Sequence, residues 1–180
     1  LLFGSSFAVK PSVRPQVREV VRKAKEQGAY ILYDPNLRPH HIPQMDTLRP
    51  NVEENFALAH LVRGSDEDFR TIYPELSTEG VLERLATYGC EAIITANARG
   101  VDGLLSGERV HVDAPDIDPV STLGAGDNFN AGLAHGLAGI GRPCADAACW
   151  RAVLEVALGF SADVCMSLDN CISFEFASSL

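Results

Sequence analysis

The sequence predicts an α/β fold in which helices cover a doubly wound, mostly parallel sheet. Two observations support this: short apolar runs alternate with helical patterns along the 180 residues, and polar or glycine-rich positions follow the apolar runs. In such sheets, ligands bind at the carboxyl ends of the strands. The sequence places four positions there: Asp34, Ser65, Thr95 and the run 124–126.

The first part of the chain predicts alternating strands and helices. Residues 1–3 are typical of the cut edge of a strand, and valines at helical spacing after Pro11 predict a one-sided helix that ends at Gly28. The continuous apolar run 29–33 predicts a buried strand of the parallel kind. Further along, residues 55–60 have a helical pattern that overlaps a short strand pattern at 59–62.

Capping and turn residues divide the middle of the chain. Ser65 with Asp68 three residues later resembles a capping box that begins a short acidic helix. A further helix begins at Thr78 and stops at Gly89. Residues 91–95 then predict a strand, and residues 101–105 and 109–112 predict a hairpin.

Two helices complete the predicted fold. The first follows the run 124–126, and its glycines at 132 and 136 are expected to allow close approach to the sheet. Its expected buried side consists of Phe129, Leu133, Leu137 and Ile140. The second helix covers about 143–167. No repeat or linker interrupts the pattern, so residues 1–180 are expected to form a single domain.

Composition limits the class of protein. Hydrophobic residues make up 46% of the chain, enough for one real core, and the net charge of −9 argues against nucleic-acid and anionic-membrane partners. No apolar run is long enough to span a bilayer, which favours a soluble, cytoplasmic protein. Five cysteines without a CxxC pair indicate neither a disulfide framework nor a zinc site, so we expect buried or idle thiols.

The run from Ser121 to Gly132 combines a glycine-rich turn, a carboxylate and the start of a helix. Gly124, Ala125 and Gly126 allow a tight bend that turns consecutive N–H groups toward one point, where the helix dipole also favours an anion. Asp127 is suited to take a proton from a hydroxyl that attacks phosphate. The run therefore predicts phosphoryl transfer to an alcohol, although a flexible helix start with an acidic first turn explains the same residues.

The wider stretch resembles the second signature of the PfkB (ribokinase-like) carbohydrate kinases, in which a DTTGAGD-like run precedes an aromatic residue and a helix of small residues. The resemblance implies that Asp127 is the catalytic base and that the amides of Gly124, Ala125 and Gly126 form the anion hole. Ser121 and Leu123 stand where the family usually has aspartate and threonine, which leaves the base unchanged but affects the expected cation and phosphate contacts.

Three other segments resemble family motifs. The segment 34–38 is similar to the DPNxR of fructokinase-like and ketodeoxygluconate-kinase-like members, which implies that Asn36 and Arg38 contact phosphate or the acceptor; an ordinary proline turn is the alternative. Ser65 and Asp68 stand at the family's NxxE positions. They would organise Mg²⁺ and phosphate, Asp68 through water, although its side chain is one methylene shorter than glutamate; a helix cap alone is the alternative.

Residues 95–100 look like the family's TLGxxG turn, which implies that Thr95 and Gly100 lie against the nucleotide, although a hairpin connection also explains them. The resemblance spans the chain but matches only the carboxyl-terminal part of a family member, without its amino-terminal strands and lid. It implies an ATP-dependent and Mg²⁺-dependent carbohydrate kinase that phosphorylates a sugar hydroxyl. A homodimer of the full-length protein is compatible with the resemblance. DPNLR does not identify the sugar.

Two other functional classes are alternatives to the kinase. A non-catalytic nucleotide-binding or interaction fragment is the main alternative, because an incomplete sheet exposes an edge that can pair with a partner. A dinucleotide-binding oxidoreductase is disfavoured, because no GxGxxG follows an early strand with an acidic residue at the ribose distance.

Overall fold

The structure is a computed structural model that describes residues 1–37, 44–141 and 144–180. The chain divides into two compact units, residues 1–95 and residues 96–180. Each unit has its own set of strands and helices. The predicted site residues are distributed over both units.

The first unit contains four parallel strands. They are β1 (Leu2–Gly4), β2 (Leu32–Asp34), β3 (Leu61–Ser65) and β4 (Glu91–Thr95), hydrogen-bonded in that order. The register aligns their carboxyl ends, since Gly4 lies opposite Asp34 and Ser65 lies opposite Thr95. The parallel arrangement predicted from the continuous apolar runs is confirmed, and the polar ends of the strands lie at one edge.

Four helices connect these strands: α1 (Arg14–Glu26), α2 (Met45–Leu58), α3 (Asp66–Ile72) and α4 (Thr78–Ala86). The prediction for α2 was wrong at its amino end, because the helix begins ten residues earlier than residue 55 and contains Pro50. Burial of Met45, Val52 and Phe56, which lie on both sides of Pro50, stabilises the helix despite the proline. The overlap predicted at 59–60 is resolved because α2 ends at Leu58, before β3 begins.

The second unit begins with a 3₁₀ turn at Asn97–Arg99 and the antiparallel hairpin of β5 (Val101–Leu105) and β6 (Glu108–Val112). Three helices follow: α5 (Ala125–Ile140), α6 (Ala147–Cys165) and α7 (Phe174–Ala177). The hairpin was predicted correctly. α6 begins four residues later than expected, at an Asp146 cap whose side chain accepts a hydrogen bond from Cys149.

Gly132 and Gly136 of α5 face another helix, which corrects the expected approach to the sheet. A Cβ atom at Gly132 would lie 2.6 Å from the Cα atom of Ala157, and one at Gly136 would lie 3.2 Å from Val153 Cγ1. Both neighbours belong to α6. Only the first part of the side of α5 that was expected to be buried is buried. Phe129 and Leu133 are buried, whereas Ile140 is 38% exposed.

The cysteines also differ from the expectation. Cys144 and Cys149 form a disulfide, whereas Cys90 and Cys165 are buried free thiols and Cys171 is an exposed one. The expected absence of disulfides was wrong for this pair, because the start of α6 brings the two Cα atoms to 5.4 Å. Within the described ranges, no helix combines the length and apolarity needed to cross a membrane.

Candidate active site

A buried ion pair joins the carboxyl ends of three strands in the first unit. Arg63 on β3 donates from Nη1 to Asp34 Oδ2 of β2 at 3.0 Å and from Nη2 to Thr95 Oγ1 of β4 at 2.7 Å. The side chains of Arg63 and Asp34 are only 8% and 7% exposed. The planar guanidinium can reach both neighbours because its donors form a fork.

The segment after β2 is held by two carboxylates. The Asn36 amide donates to Asp34 Oδ1 at 2.9 Å, and the Leu37 amide donates to Asp68 Oδ1 at 2.7 Å. Asn36 has a φ of 39°, a left-handed conformation that asparagine tolerates better than most residues. The backbone at Asn36 is therefore fixed on both sides, whereas the predicted partner Arg38 lies outside the described residues.

Ser65 and Asp68 form the predicted capping box at the start of α3. The Asp68 amide donates to Ser65 Oγ at 3.0 Å, and Asp68 Oδ2 accepts from the Ser65 amide at 2.9 Å and from its hydroxyl at 2.6 Å. Both carboxylate oxygens of the buried Asp68 thus accept hydrogen bonds from the protein. This arrangement does not fit a carboxylate that binds a metal ion directly, and no cluster of metal-binding side chains occurs among the described residues.

The turn that begins the second unit depends on Gly100. The Ala96 amide donates to the Gly100 carbonyl at 2.8 Å, and Gly100 has a φ of 85°. A Cβ atom there would lie 2.1 Å from the Val112 carbonyl oxygen. Only glycine fits this close approach to the β6 backbone, so the hairpin connection by itself accounts for Gly100.

α5 begins without a side-chain cap. Its N-cap is Gly124, which has a φ of 81° and no side chain to accept a hydrogen bond from the first turn. α1 and α2 also lack a side-chain cap, whereas α3, α4, α6 and α7 each begin with a serine or aspartate that accepts such a bond. The Ala125 amide donates to the Thr122 carbonyl at 3.3 Å. Since the first N–H groups of a helix lack intrahelical acceptors, the amides of α5 that follow Ala125 are available to an anion.

Asp127 is an exposed residue in the first turn of α5. No residue in the described part of the chain forms a hydrogen bond or ion pair with its carboxylate. The neighbouring Asn128 donates from Nδ2 to the Gly124 carbonyl at 3.1 Å and to the Asn170 carbonyl at 3.4 Å. The turn thus combines uncapped amides, an accessible carboxylate and a side chain that fixes the glycine loop.

Sequence reasoning missed Arg63 and Asn128. Arg63 interrupts the apolar run of β3, and a charged residue in such a run is rarely buried without a partner. That signal indicates a buried ion pair but not which residues form it. The contact of Asn128 with Asn170 joins residues 42 positions apart, and nothing in the local sequence indicates it.

Comparison with known proteins identifies the family. Residues 2–154 match the model of the pfkB family carbohydrate kinases. The chain belongs to this family. The predicted family is thereby confirmed, and the pfkB-family members related to this chain are phosphotransferases that act on carbohydrates.

Curated relatives of this pfkB-family chain include fructokinases. The fructokinase of Klebsiella pneumoniae is 31% identical over 143 residues, which cover 77% of this chain and 45% of that protein. The fructokinase of Vibrio alginolyticus is 29% identical and is covered over 42% of its length. The aminoimidazole riboside kinase of Salmonella typhimurium is 29% identical, and the match covers 41% of its length. The chain therefore spans less than half the length of these relatives.

Solved structures confirm the ribokinase-like α/β fold. The aminoimidazole riboside kinase from Salmonella enterica, complexed with aminoimidazole riboside and an ATP analog, superimposes with a TM-score of 0.85 at 24% identity. The match covers 98% of this chain and 61% of that one. Fructokinase from Vibrio cholerae O395 in fructose-, ADP- and calcium-bound form superimposes with a TM-score of 0.86 at 23% identity. This match covers 99% of this chain and 59% of that one.

Proposed function

We propose that this chain carries the catalytic part of an ATP-dependent carbohydrate kinase, which transfers the γ-phosphoryl group of ATP to a sugar hydroxyl. The observation that carries the proposal is the start of α5, where an uncapped Gly124 turn precedes the accessible Asp127. Family membership supports the reaction class. Since the chain spans less than half of its curated relatives, the proposal concerns the complete gene product.

Asp127 acts as the general base. The sugar hydroxyl lies beside the Asp127 carboxylate, which accepts the hydroxyl proton as the oxygen attacks the γ-phosphorus atom. A carboxylate is sufficient for this step because the transition state of phosphoryl transfer is loose and the proton leaves late. The exposure of Asp127 in the described chain leaves it accessible to such a hydroxyl.

The amides of Gly124, Ala125 and Gly126 stabilise the transferring group. Negative charge is spread over the oxygens of that group, and N–H groups fixed by the helix start stabilise it without reorganisation. The left-handed conformation of Gly124 turns the chain into the helix at this point. A side chain that capped α5 would compete with phosphate for these donors.

The remaining site residues have supporting roles in this proposal. Asn36 and Arg38 contact phosphate or the acceptor, and Thr95 and Gly100 lie against the nucleotide. Bound Mg²⁺ would neutralise charge on the phosphates of ATP. Ser65 and Asp68 act mainly on the protein itself, because their oxygens hold α3 and the segment after β2. Any contact of Asp68 with the cation runs through water.

Phosphoryl transfer from ATP to a panel of sugars tests the proposal. The panel includes fructose, ribose and keto-sugar acids, and the enzyme is the complete gene product. Formation of a phosphorylated sugar with equimolar ADP is the expected result. A folded protein that binds ATP and transfers phosphate to no sugar would overturn the proposed kinase activity. It would favour a non-catalytic nucleotide-binding protein.

A further inference from the structure

The buried guanidinium of Arg63 has no role in the reaction proposed above. β3 lies between β2 and β4, so a side chain at this position can reach both neighbouring strands. Arg63 does so with two different nitrogens, one bonded to Asp34 and one to Thr95. The group therefore links the carboxyl ends of three strands.

Asp34 and Thr95, which are both bonded to Arg63, lie where the loops on either side of it begin. Asp34 uses its second oxygen, Oδ1, to hold the amide of Asn36 in the segment after β2. Thr95 is the last residue of β4, directly before the turn that ends at Gly100. A continuous chain of hydrogen bonds thus runs from Thr95 Oγ1 through Arg63 and Asp34 to the backbone of Asn36.

Stabilisation of the fold does not by itself explain why a buried ion pair of Arg63 and Asp34 occupies this position. Burying two charges costs solvation free energy, and a buried ion pair is often replaced by apolar residues of similar volume without loss of stability. The preceding β3 residues, Leu61 and Val62, are buried apolar side chains, so an apolar residue suits this strand. The geometric specificity of the forked contact is what an apolar residue cannot supply.

We propose that Arg63 is a positioning residue for phosphoryl transfer. It acts through Thr95 and Asp34, and it fixes the carboxyl ends of β4 and β2 relative to each other. The inference rests on the proposed kinase function. Lysine cannot replace arginine fully here, because one ammonium group on a flexible stem cannot keep both fixed contacts.

The test compares Arg63→Lys, Thr95→Val and the double variant in the complete gene product. Arg63→Lys retains a charge beside Asp34 but loses the contact with Thr95. We expect it to lower kcat/KM for ATP roughly tenfold, since small misplacements of substrate-positioning groups are costly. In the Thr95→Val background the same substitution is expected to have little further effect, because the contact it removes is already absent.

Arg22→Lys is the matched control, because Arg22 forms ion pairs with Glu19 and Glu26 on the exposed face of α1. It is expected to leave kcat/KM unchanged. Thermal unfolding of all variants separates positioning from stability, and Arg63→Lys is expected to unfold at the temperature of the control variant.

Three outcomes overturn the positioning role: Arg63→Lys with wild-type kcat/KM, an equal loss in both Thr95 backgrounds, or an Arg63→Lys protein that does not fold. The last would make the ion pair a requirement for folding. A wild-type protein without phosphoryl transfer overturns the proposed function itself, whereas transfer by both wild type and Arg63→Lys at equal rates overturns only the role of Arg63.

Discussion

Gly124 adopts a backbone conformation that L side chains rarely adopt, with a φ of 81°. Gly124→Ala is therefore expected to cost about 1–2 kcal/mol in the free energy of unfolding. It should also lower kcat, because relief of the strain moves the first amides of α5. Urea denaturation and steady-state kinetics of the complete gene product measure the two effects.

Gly141→Ala is the matched control for Gly124→Ala. Gly141 ends the same helix with a φ of 70° and has open space where a Cβ atom would lie. A similar loss of stability with wild-type kcat is expected. Equal losses of kcat in the two variants would show that the effect at Gly124 is only a consequence of lower stability.

His60 predicts a pH dependence of stability. Burial and the nearby Lys25 lower the pKa of His60 below its ordinary value, partly offset by Glu91, and its Nδ1 accepts a hydrogen bond from the Ile31 amide at 2.9 Å. The unfolded chain therefore binds this proton more readily than the folded one. The stabilising effect is complete above the ordinary pKa of 6.5 and declines as the pH falls through the lowered value.

His60→Asn provides the measurement for this group. Asparagine keeps an acceptor near the Nδ1 position but does not titrate. As the pH falls from 7 to 5, the free energy of unfolding of the wild type is expected to decrease relative to that of His60→Asn. A difference that is constant over this range would contradict the account of His60.

At the scale of residues, the sequence was informative where the chemistry is local. Gly124 and Asp127 are neighbours in one turn, so their type and spacing alone indicate an anion site beside a base. The proposed role of Arg63 depends on the register of three strands, and its contacts reach 29 and 32 residues along the chain. Such pairing is invisible in a single sequence.

The packing of α5 on α6 gives a prediction at the scale of elements. Gly132→Ala is expected to destabilise the protein by about 1–3 kcal/mol, because the new methyl group would lie 2.6 Å from the Ala157 Cα atom. Gly139→Ala places the same methyl group in open space on the same helix, where it should stabilise by up to about 1 kcal/mol. Equal effects in urea denaturation would contradict the close contact.

Asp68 connects α3 to the segment after β2. Asp68→Ala removes the capping box and leaves the Leu37 amide without its acceptor, so we expect a loss of about 2–3 kcal/mol. Ser77→Ala at α4 removes an ordinary cap and should cost about 1 kcal/mol. The denaturation midpoints of both variants are the measurement, and equal losses would contradict the second role of Asp68.

Elements with strong local signals were predicted best. β4 and β5 have the predicted bounds, because apolar residues within them and turn residues beside them mark both strands. The start of α2 was missed, because Pro50 in isolation indicates a break and only burial of the surrounding face overrides it. The partner of α5 could not be derived from its small residues, since a sheet and a helix both accept close approach.

At the scale of the whole molecule, the fold follows from the alternation of strand and helix patterns and the family from a few short motifs, but neither identifies the acceptor. The proposed role of residues 124–127 concerns phosphate and proton transfer, which all members of such a reaction class share. Choice of sugar depends on side chains that surround the acceptor, and the chain spans less than half of its curated relatives. Fold and reaction class are therefore more predictable than specificity.

Nucleotide binding should be visible in the stability of the complete protein. ATP that binds only the folded state raises the free energy of unfolding by about 2.7 kcal/mol at one hundred times its Kd. The melting temperature of the complete gene product is expected to rise with ATP concentration, and to rise less for Gly124→Ala than for Gly141→Ala. Equal shifts in both variants would place the nucleotide away from the start of α5.

The central claim is that Asp127 is the base for phosphoryl transfer, and the most direct measurement is kcat for Asp127→Asn in the complete gene product. We expect kcat to fall at least about 100-fold, while the free energy of unfolding changes by no more than about 1 kcal/mol. Asp46→Asn, at an exposed acid in the first turn of α2, is the control and should retain full activity. Wild-type kcat in Asp127→Asn would contradict the claim.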